Sequence, residues 1–167
     1  MGVEQQRDEQ VAEVYARAAR PLIGLLTVMG GSAADAEEVA QDAFVKLIEH
    51  WPAVRDYDDV DAWLRTVAVR LLISRQRRHG VARRGLRRLA ARPAADPAPP
   101  DGAGLDVDAA LAALTTGHRA VLLLHHVHDL PVEEVADLLR VPVGTVKSRL
   151  SRARAALAPR LIEGSTP

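Results

Sequence analysis

The segment from Leu130 to Leu157 constrains the fold most strongly, because two runs of apolar residues at helical spacing flank a proline. Intervals of three and four residues place apolar side chains on one face of a helix, and such a face must be buried. The first run contains Val132, Val135, Ala136 and Leu139. The second run contains Val143, Val146, Leu150, Ala153 and Leu157. The sequence therefore predicts two packed amphipathic helices.

Three residues, Arg140, Val141 and Pro142, separate these two helices. The residue before a proline avoids the helical region, whereas proline itself suits the first turn of a new helix. Two helices joined by so short a turn form the helix-turn-helix pattern of DNA-binding proteins. Helical hairpins in ordinary bundles also have short turns, so a purely structural hairpin is the alternative.

The second helix is basic on the side opposite its apolar stripe. Its outward side carries Lys147, Ser148 and Ser151, and Arg149, Arg152 and Arg154 lie on the flanks. Small hydroxyl and basic residues suit the DNA major groove, where they donate to guanine and hold phosphates on both sides. Cations near a helix C-terminus also suit the helix dipole, and most exposed faces are simply solvated.

Charge is distributed in blocks along a chain whose formal net charge is zero. Residues 1–62 hold 13 acidic and 5 basic residues, whereas residues 63–93 hold 10 arginines and no acid. Residues 94–139 are again acidic, and residues 140–167 hold 6 basic residues and 1 acid. Two separate basic blocks predict two distant contacts with nucleic acid.

The composition favours an all-α fold. Hydrophobic residues make up 48% of the chain and aromatic residues 3%, and few alternating apolar and polar runs occur. The absence of cysteine excludes disulfides and thiolate metal ligands and fits a reducing cytoplasm. No run approaches the roughly 20 apolar residues of a membrane span. We therefore expect a cytoplasmic protein without membrane insertion.

Proline and glycine mark a linker in the middle of the chain. Residues 92–104 carry four prolines and two glycines without helical periodicity. Long structureless loops are uncommon inside compact domains. The sequence therefore predicts two small helical domains, residues 8–85 and 106–163, joined by a flexible Pro/Ala/Gly-rich linker at residues 86–105, with the helix-turn-helix in the C-terminal domain.

In the first domain, Gly30 and Gly31 should end a helix or pair of helices, and Ser32 or Asp35 should cap the next one. The apolar face of that next helix contains Ala40, Phe44, Leu47, Ile48 and Trp51. Pro52 and the acidic residues after it should break the chain before a further helix. This helix begins with apolar residues and ends in arginines, which are more numerous than capping requires.

The motifs in this order resemble a bacterial sigma factor. The segments "DAEEVAQDAF" and "DAWLRTVAVRLLISRQRR", a proline-rich linker, and "LPVEEVADLLRVPVGTVKSRLSRARAAL" are similar to the two-domain extracytoplasmic-function (ECF) class of the sigma-70 family. The resemblance covers nearly the whole chain. It implies that the first domain holds the polymerase clamp and opens the minus-ten element. It also implies that the second reads the minus-thirty-five element and contacts the polymerase flap.

The resemblance implies roles for three sets of residues. The minus-thirty-five set is Thr145, Lys147, Ser148, Arg149, Ser151, Arg152 and Arg154, with Arg149 and Arg154 on phosphates. The minus-ten set is Arg65, Arg70, Ser74, Arg75, Arg77 and Arg78. The polymerase-binding set is Asp35, Glu38, Gln41, Asp42 and Val45. An acidic helix face does not by itself reveal a partner, because such faces are mostly solvated.

The implied partners are core RNA polymerase and promoter DNA, and an anti-sigma factor is a further partner that the family admits. No cofactor, metal or catalytic residue is implied. Two departures concern DNA reading, since Arg70 and Ser74 stand where many relatives carry asparagine and aspartate. Arg140 stands where relatives often have glycine, so a left-handed conformation there would carry modest strain.

Three histidines, His125, His126 and His128, suggest a metal site at first reading. They point in different directions on a helix and have no cysteine beside them, so we expect structural or surface roles. Two other functions stay open. A stand-alone helix-turn-helix regulator would need a sensor or dimer interface in the first domain. A helical adaptor or sigma antagonist would use the basic helix to dock a protein.

Overall fold

A computed structural model describes residues 2–89 and 107–163, and these residues form helices and no strand. The expected all-α fold is confirmed. Two compact units make up the chain, Met1–Arg75 (unit 1) and Gln76–Pro167 (unit 2), and each has its own buried core. Most of the expected linker, residues 90–105, lies outside the described residues. Residues 86–89 belong to the preceding helix.

Unit 1 begins with helix α1, Val3–Gly30, which continues as one helix through Pro21. Gly31 ends it in a left-handed conformation with φ 77°, and the Gly31 N–H donates to the Thr27 carbonyl at 2.7 Å. Ser32 then caps the next helix, because its Oγ accepts from the Asp35 N–H at 3.2 Å. Both the expected helix end and the expected cap are confirmed, with Ser32 rather than Asp35 as the capping residue.

Helix α2, Ala33–Val54, packs along α1 through an almost entirely buried face. The buried residues are Ala36, Val39, Ala40, Ala43, Phe44, Leu47, Trp51 and Val54. Ile48 is 46% exposed, so its expected place in the core was wrong. It follows Leu47 by about 100° around the helix and lies beyond the buried stripe. The helix also runs through Pro52, and the break comes after Val54.

Helix α3, Val60–Leu89, begins at a cap in which Asp59 Oδ1 accepts from the Ala62 N–H at 2.8 Å. Its first half buries Leu64, Ala68, Val69 and Leu72. An ion pair between Arg17 and Asp61, with a shortest distance of 3.0 Å, joins α1 to the start of α3. This pair links α1 to α3, and the buried residues of α3 belong to the core of unit 1.

Unit 2 contains the five shorter elements that follow α3. Helices α4, Val107–Ala112, and α5, Thr116–Leu122, precede a π-helical turn, Leu123–Val127. Helices α6, Val132–Leu139, and α7, Val143–Glu163, complete the unit. The expected apolar stripe of α7 is confirmed, since Val146, Leu150 and Ala153 are buried. They pack in the region where α7 meets α5 and α6.

At the corner between α6 and α7, helix α6 ends at a residue in the left-handed conformation. Arg140 adopts φ 54° and ψ 49°, which confirms the conformation considered from the sequence. The Val141 N–H donates to the Ala136 carbonyl at 3.0 Å, and this bond closes the end of α6. Pro142 then starts α7, and its carbonyl accepts from the Thr145 and Val146 N–H groups.

Candidate nucleic-acid interface

The buried stripe of α7 determines which of its side chains face outward. Lys147, Ser148, Ser151 and Arg152 are exposed together, and Thr145 is half-buried beside them. A Cβ at Gly144 would meet no atom within 4 Å, so packing does not require glycine there. The first two turns of α7 therefore present cations and hydroxyls to solvent, and no side chain covers the backbone at Gly144. Such a surface permits the close approach that base reading in a groove requires.

The hydroxyl of Ser148 is partly engaged within α7. Its Oγ donates to the Thr145 carbonyl at 3.0 Å, so the oxygen keeps its acceptor capacity for a ligand. The hydrogen bond also limits the rotation of the side chain. Ser148 can therefore accept from an outside donor in a fixed direction, whereas Lys147 and Arg152 donate.

Arg149 lies against helix α5, which the sequence pattern alone did not indicate. A Cβ built at Gly117 would lie 3.3 Å from both Cζ and Nη1 of Arg149. This distance is tighter than an ordinary contact, so glycine at position 117 makes room for the guanidinium. The charge of Arg149 is held beside the exposed face of α7 by this packing.

Arg154 contacts the imidazole of His126 in the π-helical turn. The Nη2 and Nε atoms of Arg154 lie 3.0 Å and 3.3 Å from His126 Nε2. The pKa of His126 is lowered because burial, Arg154 and His125 all disfavour the protonated ring. The neutral ring can accept from Arg154. Among the residues whose side chains the structure describes, Lys147, Arg149, Arg152 and Arg154 form no ion pair with a carboxylate.

The other histidines have structural contacts. His125 Nδ1 lies 2.8 Å from the Leu130 carbonyl, and the backbone N–H of His128 donates to the Leu123 carbonyl at 3.1 Å. Asp129 takes a left-handed conformation in the same loop, with φ 52°. Residues 2–89 and 107–163 contain no cluster of three potential metal ligands. They also contain no helix long and apolar enough to cross a membrane.

The arginines of α3 differ in exposure. Arg70, Ser74, Arg77 and Arg78 are exposed, whereas Arg65 and Arg75 are partly buried. The Nε atom of Arg65 is buried and has no hydrogen-bond partner among the described residues. Five members of the expected minus-ten set thus lie along α3, and the sixth, Arg75, contacts α2.

Arg75 reaches across to α2 and pairs with two carboxylates of the expected polymerase-binding set. Its Nη2 atom lies 2.9 Å from Asp35 Oδ1 and also donates to Glu38 Oε2. The remaining members of that set, Gln41, Asp42 and Val45, are exposed along the same side of α2. Val45 is 53% exposed and is followed three residues later by the exposed Ile48. The structure thus places Arg75 of the expected minus-ten set in contact with Asp35 and Glu38 of the expected polymerase-binding set. From the sequence, these two sets are separate.

Sequence reasoning missed two residues that contact or flank these surfaces. Gly117 borders Arg149, and Ile48 extends the exposed side of α2. Arg119 of α5 is partly buried, and burial lowers its pKa. Only Ile48 had a local signal, because it lies three residues after Val45 on one helix. Gly117 comes close to α7 through tertiary packing.

Two family descriptions match the chain. Sigma-70 region 2 matches residues 14–82, and Sigma-70, region 4, matches residues 104–157. An RNA polymerase sigma-E factor of Streptomyces avermitilis is 31% identical over 76% of this chain and 71% of its own length. The ECF RNA polymerase sigma factor SigE of Mycolicibacterium smegmatis is 31% identical, and SigW of Bacillus subtilis is 27% identical. The alignments cover 83% and 80% of this chain, and 56% and 79% of those relatives.

Solved structures show the same fold. The sigma factor RpoE of Bartonella quintana, solved in complex with the anti-sigma factor NepR, gives a TM-score of 0.68 at 22% identity. That alignment covers 92% of this chain and 98% of RpoE. CnrH in complex with the cytosolic domain of CnrY gives a TM-score of 0.59, also at 22% identity, over 95% and 91% of the two chains. From the family matches and the relatives, the chain belongs to the ECF class of the sigma-70 family of RNA polymerase sigma factors.

Proposed function

We propose that this chain binds core RNA polymerase and directs it to promoters whose minus-thirty-five element is read by α7. One observation carries the proposal: the packed core of unit 2 exposes Lys147, Ser148, Ser151 and Arg152 together on an open helix surface. Lys147 and Arg152 donate to base edges, and guanine O6 and N7 are the acceptors that suit them best. Thr145 and the two serines complete the base-reading face.

Arg149 and Arg154 bind phosphates on either side of the groove. The packing of Arg149 against Gly117 and the contact of Arg154 with neutral His126 leave both charges uncompensated by nearby carboxylates. Phosphate contacts position a protein on the duplex, and base contacts supply specificity. This division of roles gives α7 both affinity and sequence preference.

The exposed arginines of α3 bind the minus-ten strand. Arg70, Arg77 and Arg78 lie on the solvent side of the helix and suit a single-stranded phosphate backbone. Arg65 and Ser74 belong to the same proposed surface. Arg70 and Ser74 replace the asparagine and aspartate of many relatives, so this chain is expected to prefer a different minus-ten sequence.

The acidic side of α2 binds the polymerase clamp through Glu38, Gln41, Asp42 and Val45, with Asp35 at its N-terminal end.

We assign residues 8–85 to region 2, residues 86–105 to the linker and residues 106–163 to region 4, which also contacts the flap. Two related folds were solved in complex with an anti-sigma factor or a cytosolic domain. An anti-sigma factor is therefore a further proposed partner, and the proposed location is the cytoplasm. Catalysis belongs to the polymerase.

The test is transcription in vitro with sigma-free core polymerase over a randomised promoter library. Wild type is compared with the double variant Lys147→Ala/Arg152→Ala. The control is Arg20→Ala/Arg55→Ala, which removes the same charge from exposed positions of unit 1. We expect transcripts that share an upstream motif, and we expect only the α7 variant to weaken or change that motif.

Two other results would replace the proposal. Binding to core without promoter opening would favour the adaptor or sigma antagonist. Absence of core binding combined with specific DNA binding would favour a stand-alone regulator. Equal losses for the α7 variant and its control would show that α7 contributes only unspecific charge.

A further inference from the structure

Arg75 of α3 forms a bridge to α2. Its guanidinium contacts Asp35 and Glu38, and its side chain is 24% exposed. The two carboxylates are more open, with exposures of 37% for Asp35 and 61% for Glu38. An outside cation can therefore approach Glu38 while Arg75 is still in place.

The bridge is of a kind that a binding partner can exchange. Ion pairs between exposed groups contribute little to stability, because water screens them and ordering long side chains costs entropy. The pKa of Arg75 is raised, chiefly by the hydrogen bond with Glu38, so the guanidinium stays charged at any physiological pH. Titration of Arg75 therefore cannot free the two carboxylates. Another cation that competes with Arg75 can free them.

We propose that Arg75 is an internal counter-cation that competes with basic groups of the polymerase for Asp35 and Glu38, and that it weakens core binding. The role of Arg75 is thus in polymerase affinity rather than in minus-ten DNA binding. This inference rests on the proposed function of the acidic side of α2. It changes the assignment of one residue and leaves the other α3 arginines on DNA.

The rest of the acidic side provides an internal comparison. Asp42 is exposed on the same side of α2 and forms no ion pair within the described residues. A polymerase cation that binds Asp42 displaces only water, whereas one that binds Glu38 displaces Arg75. Substitutions at the two carboxylates should therefore respond differently to the removal of Arg75.

The experiment measures the affinity of the full-length chain for sigma-free core polymerase at several salt concentrations. Arg75→Met keeps the apolar stem of the side chain and removes its charge. We expect it to bind core about twofold to fivefold more tightly, in keeping with the small energies of exposed ion pairs. Arg75→Lys should lie closer to wild type. Arg78→Met removes the same charge from an exposed site and should change core affinity less than twofold.

A double-mutant comparison identifies the carboxylates that carry the effect. In an Asp35→Asn/Glu38→Gln background, Arg75→Met should no longer tighten core binding. In an Asp42→Asn background, the full gain should persist. Promoter opening by the reconstituted holoenzyme should fall with Arg78→Met and stay unchanged with Arg75→Met.

Three results would overturn the inference. Core binding that weakens with Arg75→Met, while thermal unfolding is unchanged, would make Arg75 a positioning residue for α2. Promoter opening that falls as far as with Arg78→Met would make Arg75 a DNA contact. If Asp42→Asn weakens core binding but Arg75→Met has no effect, the inference alone fails. If wild type does not bind core, or Asp42→Asn has no effect, the proposed function of α2 fails instead.

Discussion

The two charged surfaces of this chain differ in how their cations are neutralised. In unit 1, Arg75 of α3 is paired with Asp35 and Glu38 of α2. In unit 2, Arg149 of α7 lies against the glycine at position 117, and Arg154 contacts a neutral imidazole. A basic partner of α2 must therefore displace an internal cation, whereas an anionic partner of α7 meets cations already available.

This difference shows why a net charge of zero says little about binding. The acidic and basic residues of the chain are equal in number, but they neutralise one another at particular places. Interactions between exposed charges fade beyond about 8 Å at physiological salt. The local pairing therefore decides which surface attracts which partner.

The largest expected effect comes from placing a carboxylate beside Arg149. Gly117→Glu should lower the affinity of the reconstituted holoenzyme for promoter DNA about tenfold, equivalent to about 1.4 kcal/mol. The new carboxylate pairs with Arg149 and also repels the phosphates. The slope of the logarithm of DNA affinity against the logarithm of salt concentration should become shallower, by an amount equivalent to about one released counterion. Binding of promoter fragments over a salt series measures both quantities.

Gly117→Gln is the matched control, because it adds a side chain of similar size without charge. It should displace Arg149 slightly and cost much less DNA affinity than the glutamate. Equal losses for glutamine and glutamate would mean that space rather than charge governs Arg149. In that case the charge of Arg149, unlike that of Arg75 in unit 1, would not depend on whether a carboxylate lies beside it.

A smaller effect is expected at the left-handed ends of two helices. Unit 1 has glycine there, Gly31, whereas unit 2 has Arg140 at φ 54°. Arg140→Gly should stabilise the chain by up to about 1 kcal/mol, because a side chain is strained in this conformation. It also removes an exposed cation beside α7, so affinity for DNA should fall slightly. Urea unfolding and DNA binding, measured on the same variant, should change in opposite directions.

Gly31→Ala provides the reciprocal test in unit 1. It should destabilise the chain by about 1 kcal/mol, since alanine is disfavoured at φ 77°. It should leave DNA binding by the holoenzyme unchanged apart from that loss of stability. If Arg140→Gly destabilised the chain, the arginine side chain would contribute packing that outweighs its backbone strain.

Removing a carboxylate from unit 1 tests how much its ion pairs contribute. Asp61→Asn breaks the pair with Arg17 that joins α1 to α3. Because both groups are about half exposed, the expected loss is roughly 0.2 to 1 kcal/mol. High salt should reduce the difference between variant and wild type in urea unfolding. A loss that salt does not change would mean that the ion pair with Arg17 is not its cause.

The smallest expected effect is a pH dependence in unit 2. The pKa of His126 is lowered from 6.5 chiefly by burial, so the unfolded chain binds this proton more readily than the folded one. Stability should therefore decline as pH falls below about 6.5, and the full loss appears below the lowered pKa of the folded state. Protonation also removes the acceptor that Arg154 uses.

His126→Gln keeps an acceptor and does not titrate, so it should reduce this decline. The measurement compares the free energy of unfolding of the variant and wild type between about pH 7.5 and 5.5. The difference between the two proteins isolates His126 from the other histidines. An identical decline in both would assign the pH dependence to another group.

Several elements of the fold were predictable because they depend on residues three or four positions apart. The stripe of Val146, Leu150 and Ala153 is buried as its spacing predicts. The end of α1 at Gly31 and the cap at Ser32 follow from backbone preferences of single residues. Ile48 was placed wrongly because its spacing also fits the edge of a buried stripe. Only packing against neighbouring helices decides whether a residue at the edge of the stripe is buried or exposed.

The sequence by itself determined the all-α class, the helix-turn-helix corner and the outward position of Lys147 and Arg152. These features arise from local spacing and from the backbone preferences of glycine and proline. Only the tertiary structure decided the partners of the other cations. Arg75 meets Glu38 from 37 residues away, and Arg154 meets His126 from 28 residues away. Such contacts depend on how helices pack, and no local pattern encodes which long side chain will reach which neighbour.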